Sequence, residues 1–147
     1  MSQQAWKEEV VRYIDATRFA VLAYVRVDGA PLQRSIGSFA PRGLDLYFST
    51  RKEADKVQAI SAKKRISFLF EHDNQDLTQW QSVLLIGDAE KIDDGAELDL
   101  AVQTLSLRNP RFKERIDRGE KIEPKEWMPE GYRRTLIRRN QRRPRTR

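Results

Sequence analysis

Cysteine is absent from this chain and histidine occurs once, at position 72. These shortages exclude disulfides, thiol nucleophiles and Cys/His zinc sites, and they leave no pool of histidines for a Ser-His or Cys-His relay. No metal site is expected. A chain with no cysteine suits a reducing cytoplasm, and the protein is expected there. No apolar run approaches the ~20 residues of a membrane span. The opening MSQQAWKEEV is charged early, unlike a secretory leader. A soluble protein with no membrane partner is the expectation.

A surplus of positive charge is present, but it is not spread over the chain. Lys and Arg total 28 against 22 acidic residues, giving +6, yet Arg133 to Arg147 holds eight arginines and no acid. Residues 1–132 carry 20 basic and 22 acidic groups, a net −2. The alkaline pI therefore describes a tail on a nearly neutral domain. At 147 residues the chain reads as one domain able to bury a substantial core, residues 1–139, followed by a basic tail, 140–147. The tail offers no apolar side chain after Gln141 to offset the cost of ordering its backbone.

The apolar pattern switches period along the chain. Trp6, Val10, Tyr13, Ile14 and Thr17 fall at helical spacing, which predicts an amphipathic helix over 3–17. FAVLAYVRV, Phe19 to Val27, is rich in β-branched and aromatic residues and runs into Asp28-Gly29, a hairpin signal. The return strand is expected over Pro31 to Phe39, closed by Pro41-Arg42-Gly43, with a third strand over Leu44 to Ser49. Further strands follow at Arg65 to Glu71 and Ser82 to Ile92, where Gly87 predicts a bulge or bend. Asp93-Asp94 would cap a helix over Ala96 to Leu107, stopped by Asn109-Pro110. Residues 111–126 carry no clear signal. Tyr132 to Arg139 alternates weakly, as a last strand would. Six short antiparallel strands with few helices predict a mainly β fold, a small barrel with helices packed outside.

One stretch points to a ligand. In LDLYFSTRKEADKVQ, Leu44 to Gln58, a short strand runs through Ser49, Thr50, Arg51 and Lys52 into a helix, with Thr50 and Glu53 at capping-box spacing. The free N–H groups and positive dipole end of such a helix form a phosphate-sized anion site. Helical side chains lean toward the N-terminus, which aims Lys56 at the point that Arg51 and the two hydroxyls surround. His72 lies in the polar loop HDNQDLTQ and reads as a solvated side chain, not a base. Trp80 reads as core or interface packing.

The ordered segments FAVLAYVRVDGAPLQRSIGSFA, LDLYFSTRKEADKVQAI, KRISFLFE and WQSVLLIGDAEKIDD resemble the FMN-binding split barrel of the pyridoxamine 5′-phosphate oxidase-like family, over roughly Phe19 to Asp94. The resemblance implies a six-stranded antiparallel split barrel and a homodimer with FMN at the subunit interface. It implies that Arg34, Ser35, Ile36 and Gly37 lie along the flavin, with Arg34 reaching the phosphate. Phe48, Ser49, Thr50, Arg51 and Lys56 would grip the ribityl phosphate, in agreement with the anion site above. Trp80, Gln81 and Ser82 match the segment that similar proteins bring from the partner subunit. The chain departs from the oxidase itself in two places. The Arg/Trp substrate signature that ends that enzyme is missing from RRTLIRRNQRRPRTR, and its second strand ends in Lys where this chain has Phe39. Vitamin B6 oxidation is therefore not assigned. The resemblance implies an FMN-dependent oxidoreductase using a small-molecule substrate or a nicotinamide electron donor, with no catalytic side chain nominated. A flavin or deazaflavin module without FMN turnover, and a nucleic-acid-binding role for the arginine tail, stay open as alternatives.

Overall fold

The computed structural model describes residues 2–50, 55–92, 95–118, 130–132 and 136–141. Helix α1 (Gln3–Asp15) starts at Ser2, whose side chain accepts the Ala5 N–H, and it buries Val10 and Ile14. Strands β1 (Ala20–Val25) and β2 (Pro31–Ile36) form the expected hairpin. Its turn is closed by Arg26 N–H to Ala30 O at 2.8 Å and Gly29 N–H to Arg26 O at 2.8 Å. Gly29 sits at φ 93°, where a side chain would be strained.

The second strand ends earlier than expected. Ile36 is buried at the end of β2, and Phe39 and Ala40 are both buried in β3 (Phe39–Arg42). Strand alternation cannot bury residues 36 and 39 on one face, so the inward parity resets at Gly37-Ser38 and the chain changes sheets. Strand β3 pairs with β4 (Asp45–Thr50), not with β1. After α2 (Asp55–Ala62), β5 (Arg65–Glu71) and β6 (Gln81–Asp88) pair in unbroken register from Arg65–Asp88 to Glu71–Ser82. Gly87 lies opposite Ile66 within that ladder, so the bulge expected there does not occur.

Helix α3 (Gly95–Arg108) matches the expected one, but Pro110 begins a further helix, α4 (Pro110–Asp117). Proline fits a first helical position, where its missing N–H is not needed. The predicted last strand is divided into β7 (Glu130–Tyr132), which pairs with β4, and β8 (Leu136–Gln141), which pairs with β6. Among the described residues there are thus two antiparallel sheets, of order β2-β1-β5-β6-β8 and β3-β4-β7. The architecture is the expected mainly β split barrel with flanking helices, with the strands more finely divided than the sequence suggested. The Asp93-Asp94 cap, Arg51, Lys52 and the Thr50/Glu53 capping box fall wholly or partly outside the described residues.

The larger core gathers Leu22, Ile36, Phe39, Leu46, Phe48, Phe68, Phe70 and Leu85 between the sheets, with Val10 and Ile14 of α1 closing it. A second cluster places Tyr47 and Ala40 of the small sheet against Leu98, Ala101 and Leu105 of α3 and Phe112 of α4. Strand β4 is therefore buried on both faces, as its apolar run Leu46-Tyr47-Phe48 requires. No helix among the described residues is long and apolar enough to cross a membrane.

Candidate functional site

The change of sheets at Gly37-Ser38 brings the end of β2 and the end of β4 together. Ser38 Oγ and Ser49 Oγ lie 2.5 Å apart, and Ser49 N–H donates to Ser38 O at 3.1 Å. The end of β2 is thereby fixed against the end of β4. Next in the chain, Thr50 Oγ1 is buried with no hydrogen-bond partner among the described residues. A buried hydroxyl without a partner is costly, on the order of 1 to 3 kcal/mol. Its position at the end of β4, a few residues before the half-buried Lys56 of α2, makes the corner suitable for an oxyanion.

The remaining expected residues divide by burial. Arg34 is exposed on β2, opposite Leu22, and spends one N–H on Gln33 O at 2.9 Å. Ser35 and Gly37 are exposed, whereas Ile36 belongs to the core. Phe48 is fully buried, its ring 5.0 Å from that of Phe68 in an edge-on contact. Its side chain is committed to the core, so only its main chain is available to a ligand. A Cβ on Gly37 would meet Phe19 Cε1 at 3.2 Å, so this position needs a residue without a side chain for the strand to pass the ring.

Trp80 immediately precedes β6, and Gln81 and Ser82 open it, at the same end of the five-stranded sheet as Gly37. The register that carries one to the other runs Ile36 to Ala20, Ala20 to Phe70 and Phe70 to Val83. Gln81 is held through its backbone: its carbonyl accepts from Tyr13 Oη at 2.6 Å and Gln75 Nε2 at 2.9 Å, and its N–H donates to Gln75 Oε1 at 2.8 Å. Ser82 is buried and Trp80 half-buried.

The sequence reading of His72 as a solvated side chain is corrected by this network. The imidazole stacks on the Tyr13 ring with centroids 3.7 Å apart and planes 6° from parallel. Its Nε2 lies 2.9 Å from the Tyr13 carbonyl, and its backbone N–H donates to Tyr13 Oη at 3.0 Å. Burial raises the Tyr13 phenol pKa, opposed by the hydrogen bonds from His72 and Gln75. Ser38, Tyr13 and Gln75 were not singled out from sequence. Only Tyr13 left a trace there, as a helical residue with a polar tip on the buried face.

The two sheets meet at the Ser38–Ser49 contact, and the fold is that of a mainly β split barrel with flanking helices. The chain belongs to the pyridoxamine 5′-phosphate oxidase family, whose sequence model matches residues 7–133. A search of the curated proteins finds no match. Among solved structures, the conserved hypothetical protein Rv2991 of Mycobacterium tuberculosis is similar at a TM-score of 0.70 and 19% identity, covering 96% of this chain and 85% of that one. An FAD-binding protein of Mesorhizobium loti is similar at 0.65 and 19%, covering 97% and 96%. The heme storage protein HutZ of Vibrio cholerae is similar at 0.60 and 15%, covering 93% and 90%. At these identities the likeness is one of fold.

Proposed function

We propose that this chain is a cytoplasmic FMN-binding flavoprotein and an FMN-dependent oxidoreductase, distinct from the vitamin B6 oxidase and working as a homodimer. The observation that carries the reading is the partnerless buried hydroxyl of Thr50, at a corner already fixed by the Ser38–Ser49 contact. Thr50 Oγ1, Ser49, the Lys56 ammonium and the Arg34 guanidinium suit a phosphate monoester, the terminal group of FMN. Arg51 belongs to the same proposed grip. Family membership and the FAD-binding protein among similar folds support a flavin as the occupant.

FMN, when bound, would supply the hydride chemistry that no described side chain offers. The protein's own work is to bind and orient. Lys56 and Arg34 neutralise phosphate charge, while the main chain at Ile36 and Gly37 would offer N–H groups to the flavin ring. Gln75 and Tyr13 fix the backbone of Gln81, and with it the Trp80–Ser82 segment proposed to face the partner subunit's flavin. Pairing of two chains is supported by the outer face of the large sheet, where Ala23, Val25, Leu84 and Ile86 are only half-buried.

The test is a visible spectrum of the purified protein, mass analysis of the released ligand, and steady-state turnover with NADH and NADPH. One FMN per chain, with a particle of twice 17.2 kDa by light scattering, is expected. Deazaflavin or heme as the bound molecule, or a protein that does not quench added FMN, would overturn the assignment. FMN bound without turnover would leave a flavin carrier.

A further inference from the structure

The outer side of α1 carries an opening that the flavin reading does not use. Trp6, Val10, Tyr13 and Ile14 of this helix pack toward the barrel core. A neighbouring stripe, Gln4, Lys7, Glu8, Val11 and Arg12, recurs at the same helical spacing and lines a cleft of about 470 Å³, with Gly43 and Leu44 on its other wall. These two residues form the turn between β3 and β4, where Arg42 pairs with Asp45 and Gly43 sits at φ 56°. Such turns are ordinarily polar. Here a leucine occupies the tip, half-buried beside the cleft.

The charges at the rim do not cancel. Glu8 accepts from Gln4 Nε2 at 3.3 Å, and Arg42, on the adjoining hairpin, donates to Tyr47 Oη at 2.9 Å. Lys7 and Arg12 have no ion pair and no side-chain hydrogen bond among the described residues. Two cations without a counter-ion thus stand against one carboxylate. Lys7 is half-buried, so its alkyl stem continues the apolar floor of Val11 and Leu44 while its ammonium stays at the edge.

We propose that this cleft binds a small anionic amphiphile, a medium-length alkyl chain ending in a carboxylate. The chain lies on Val11, Leu44 and the Lys7 stem, and the carboxylate sits at the rim that Lys7 and Arg12 make positive. The volume falls in the range of small-molecule sites. The inference does not depend on the flavin assignment. Leu44 is separated from Thr50 by the length of β4, about 20 Å of extended strand. Helix α1 also packs on the core side of the large sheet, opposite the outer face proposed to pair two chains.

The test titrates the full-length protein, as purified and again with added FMN, while the leucine and valine methyl resonances are followed by NMR. Octanoate, 1-octanol and butyrate separate chain from head group: the first two share a chain length, the first and third a carboxylate. Octanoate should shift the Leu44 and Val11 methyls saturably, and equally with and without FMN. Octanol should bind roughly 3- to 10-fold more weakly, the size of effect that two cations at a solvated rim give. Butyrate, with its much shorter chain, should bind at least roughly tenfold more weakly. Lys7→Gln combined with Arg12→Gln should bring octanoate down to the level of octanol and leave octanol unchanged. Leu44→Asn, an ordinary residue for such a turn, should weaken octanoate and octanol alike. No saturable shift at millimolar concentration, equal binding of octanoate and octanol by the unaltered chain, or unchanged binding by both variants would overturn the proposal. Shifts centred on Val25 and Leu84 of the outer sheet face, or displacement of octanoate by FMN, would overturn it as well.

Discussion

Replacing Arg108 with alanine should destabilise the fold by about 3 kcal/mol, because this one side chain joins three elements. From the end of α3, Nη1 donates to Phe39 O at 3.0 Å, and Nη2 donates to Asp15 O at 3.3 Å and to Thr17 O. The guanidinium carbon lies 3.9 Å from the Phe39 ring centre. Nε stands 3.4 Å from Asp15 Oδ1 without a hydrogen bond. Desolvation lowers the Arg108 pKa, partly offset by Asp15, so the cation is held at some cost that the carbonyls and the ring must outweigh.

The magnitude follows from what would be left behind. Thr17 and Phe39 are fully buried residues, and two carbonyls there would lose charge-assisted partners, at about 1.5 to 3 kcal/mol each before relaxation. The cation–π contact adds about 0.5 to 2 kcal/mol. Water entering the adjoining cleft beside Asp15 and Gly37 would recover part of this. Relief of the buried charge recovers more, leaving a net of about 3 kcal/mol. For a chain of this size that is a fall in Tm of roughly 6 to 12 °C. Thermal and urea unfolding followed by circular dichroism would measure it, with an unchanged m-value showing that the same surface is exposed. Arg108→Lys keeps the charge with fewer directed donors and should lose about half as much. Asp15→Asn should cost under about 0.5 kcal/mol, since the Asp15 side chain is 63% exposed. A loss below about 1 kcal/mol for Arg108→Ala, or a larger loss from Asp15→Asn, would refute the reasoning.

Thr50→Val should raise the stability of the ligand-free protein by about 1 kcal/mol, by removing a buried hydroxyl with no partner, while weakening FMN; a loss of stability without ligand would show that the hydroxyl is satisfied. Lys56→Ala and Arg34→Ala should each weaken FMN by roughly 10- to 100-fold and leave riboflavin nearly unchanged in a fluorescence titration, and equal losses for both ligands would place these groups away from the phosphate. Asp28 should titrate at about 2 because Arg26 and the Ala30 N–H hold its carboxylate. A folded-state pKa below the ordinary 3.8 means that this contribution is present above about pH 4 and is lost as the pH falls toward 2. In carboxyl NMR, Arg26→Ala should move the midpoint back up, and an unmoved midpoint would reject the pair. Deleting everything after Gln141 leaves β8 whole and should preserve flavin content and dimerisation while abolishing any nucleic-acid binding, so loss of flavin would make the arginines part of the site.

Local signals were enough for most elements and not for the turn that organises the site. The Asp28-Gly29 hairpin, β5 and α3 followed from turn chemistry and apolar period, which are set within each segment whatever it later packs against. Continuing β2 through Phe39 missed the sheet change. The evidence was there in the spacing of Ile36 and Phe39, two large apolar residues at opposite strand parity with Gly37-Ser38 between them. Gly87 misled in the other direction. It was read as a bend, yet it is buried and paired with Ile66 in a regular ladder.

The difference between the two halves of the candidate site has the same origin. Ser49, Thr50 and Lys56 lie within one strand-to-helix connection, where short-range rules about caps and dipoles apply, and the sequence points to them without a partner being known. The His72 environment is assembled by residues 59 and 68 positions apart, through the contacts of Tyr13 with His72 and Gln81. Nothing in HDNQDLTQ distinguishes an imidazole in water from one stacked on a tyrosine. That distinction depends on α1 closing the barrel, which places the Tyr13 carbonyl and ring against the loop between β5 and β6. A lone histidine in a polar loop is therefore weak evidence of solvation whenever a helix elsewhere in the chain carries a half-buried tyrosine. Here the tautomer of the imidazole is set by a backbone carbonyl far away in sequence.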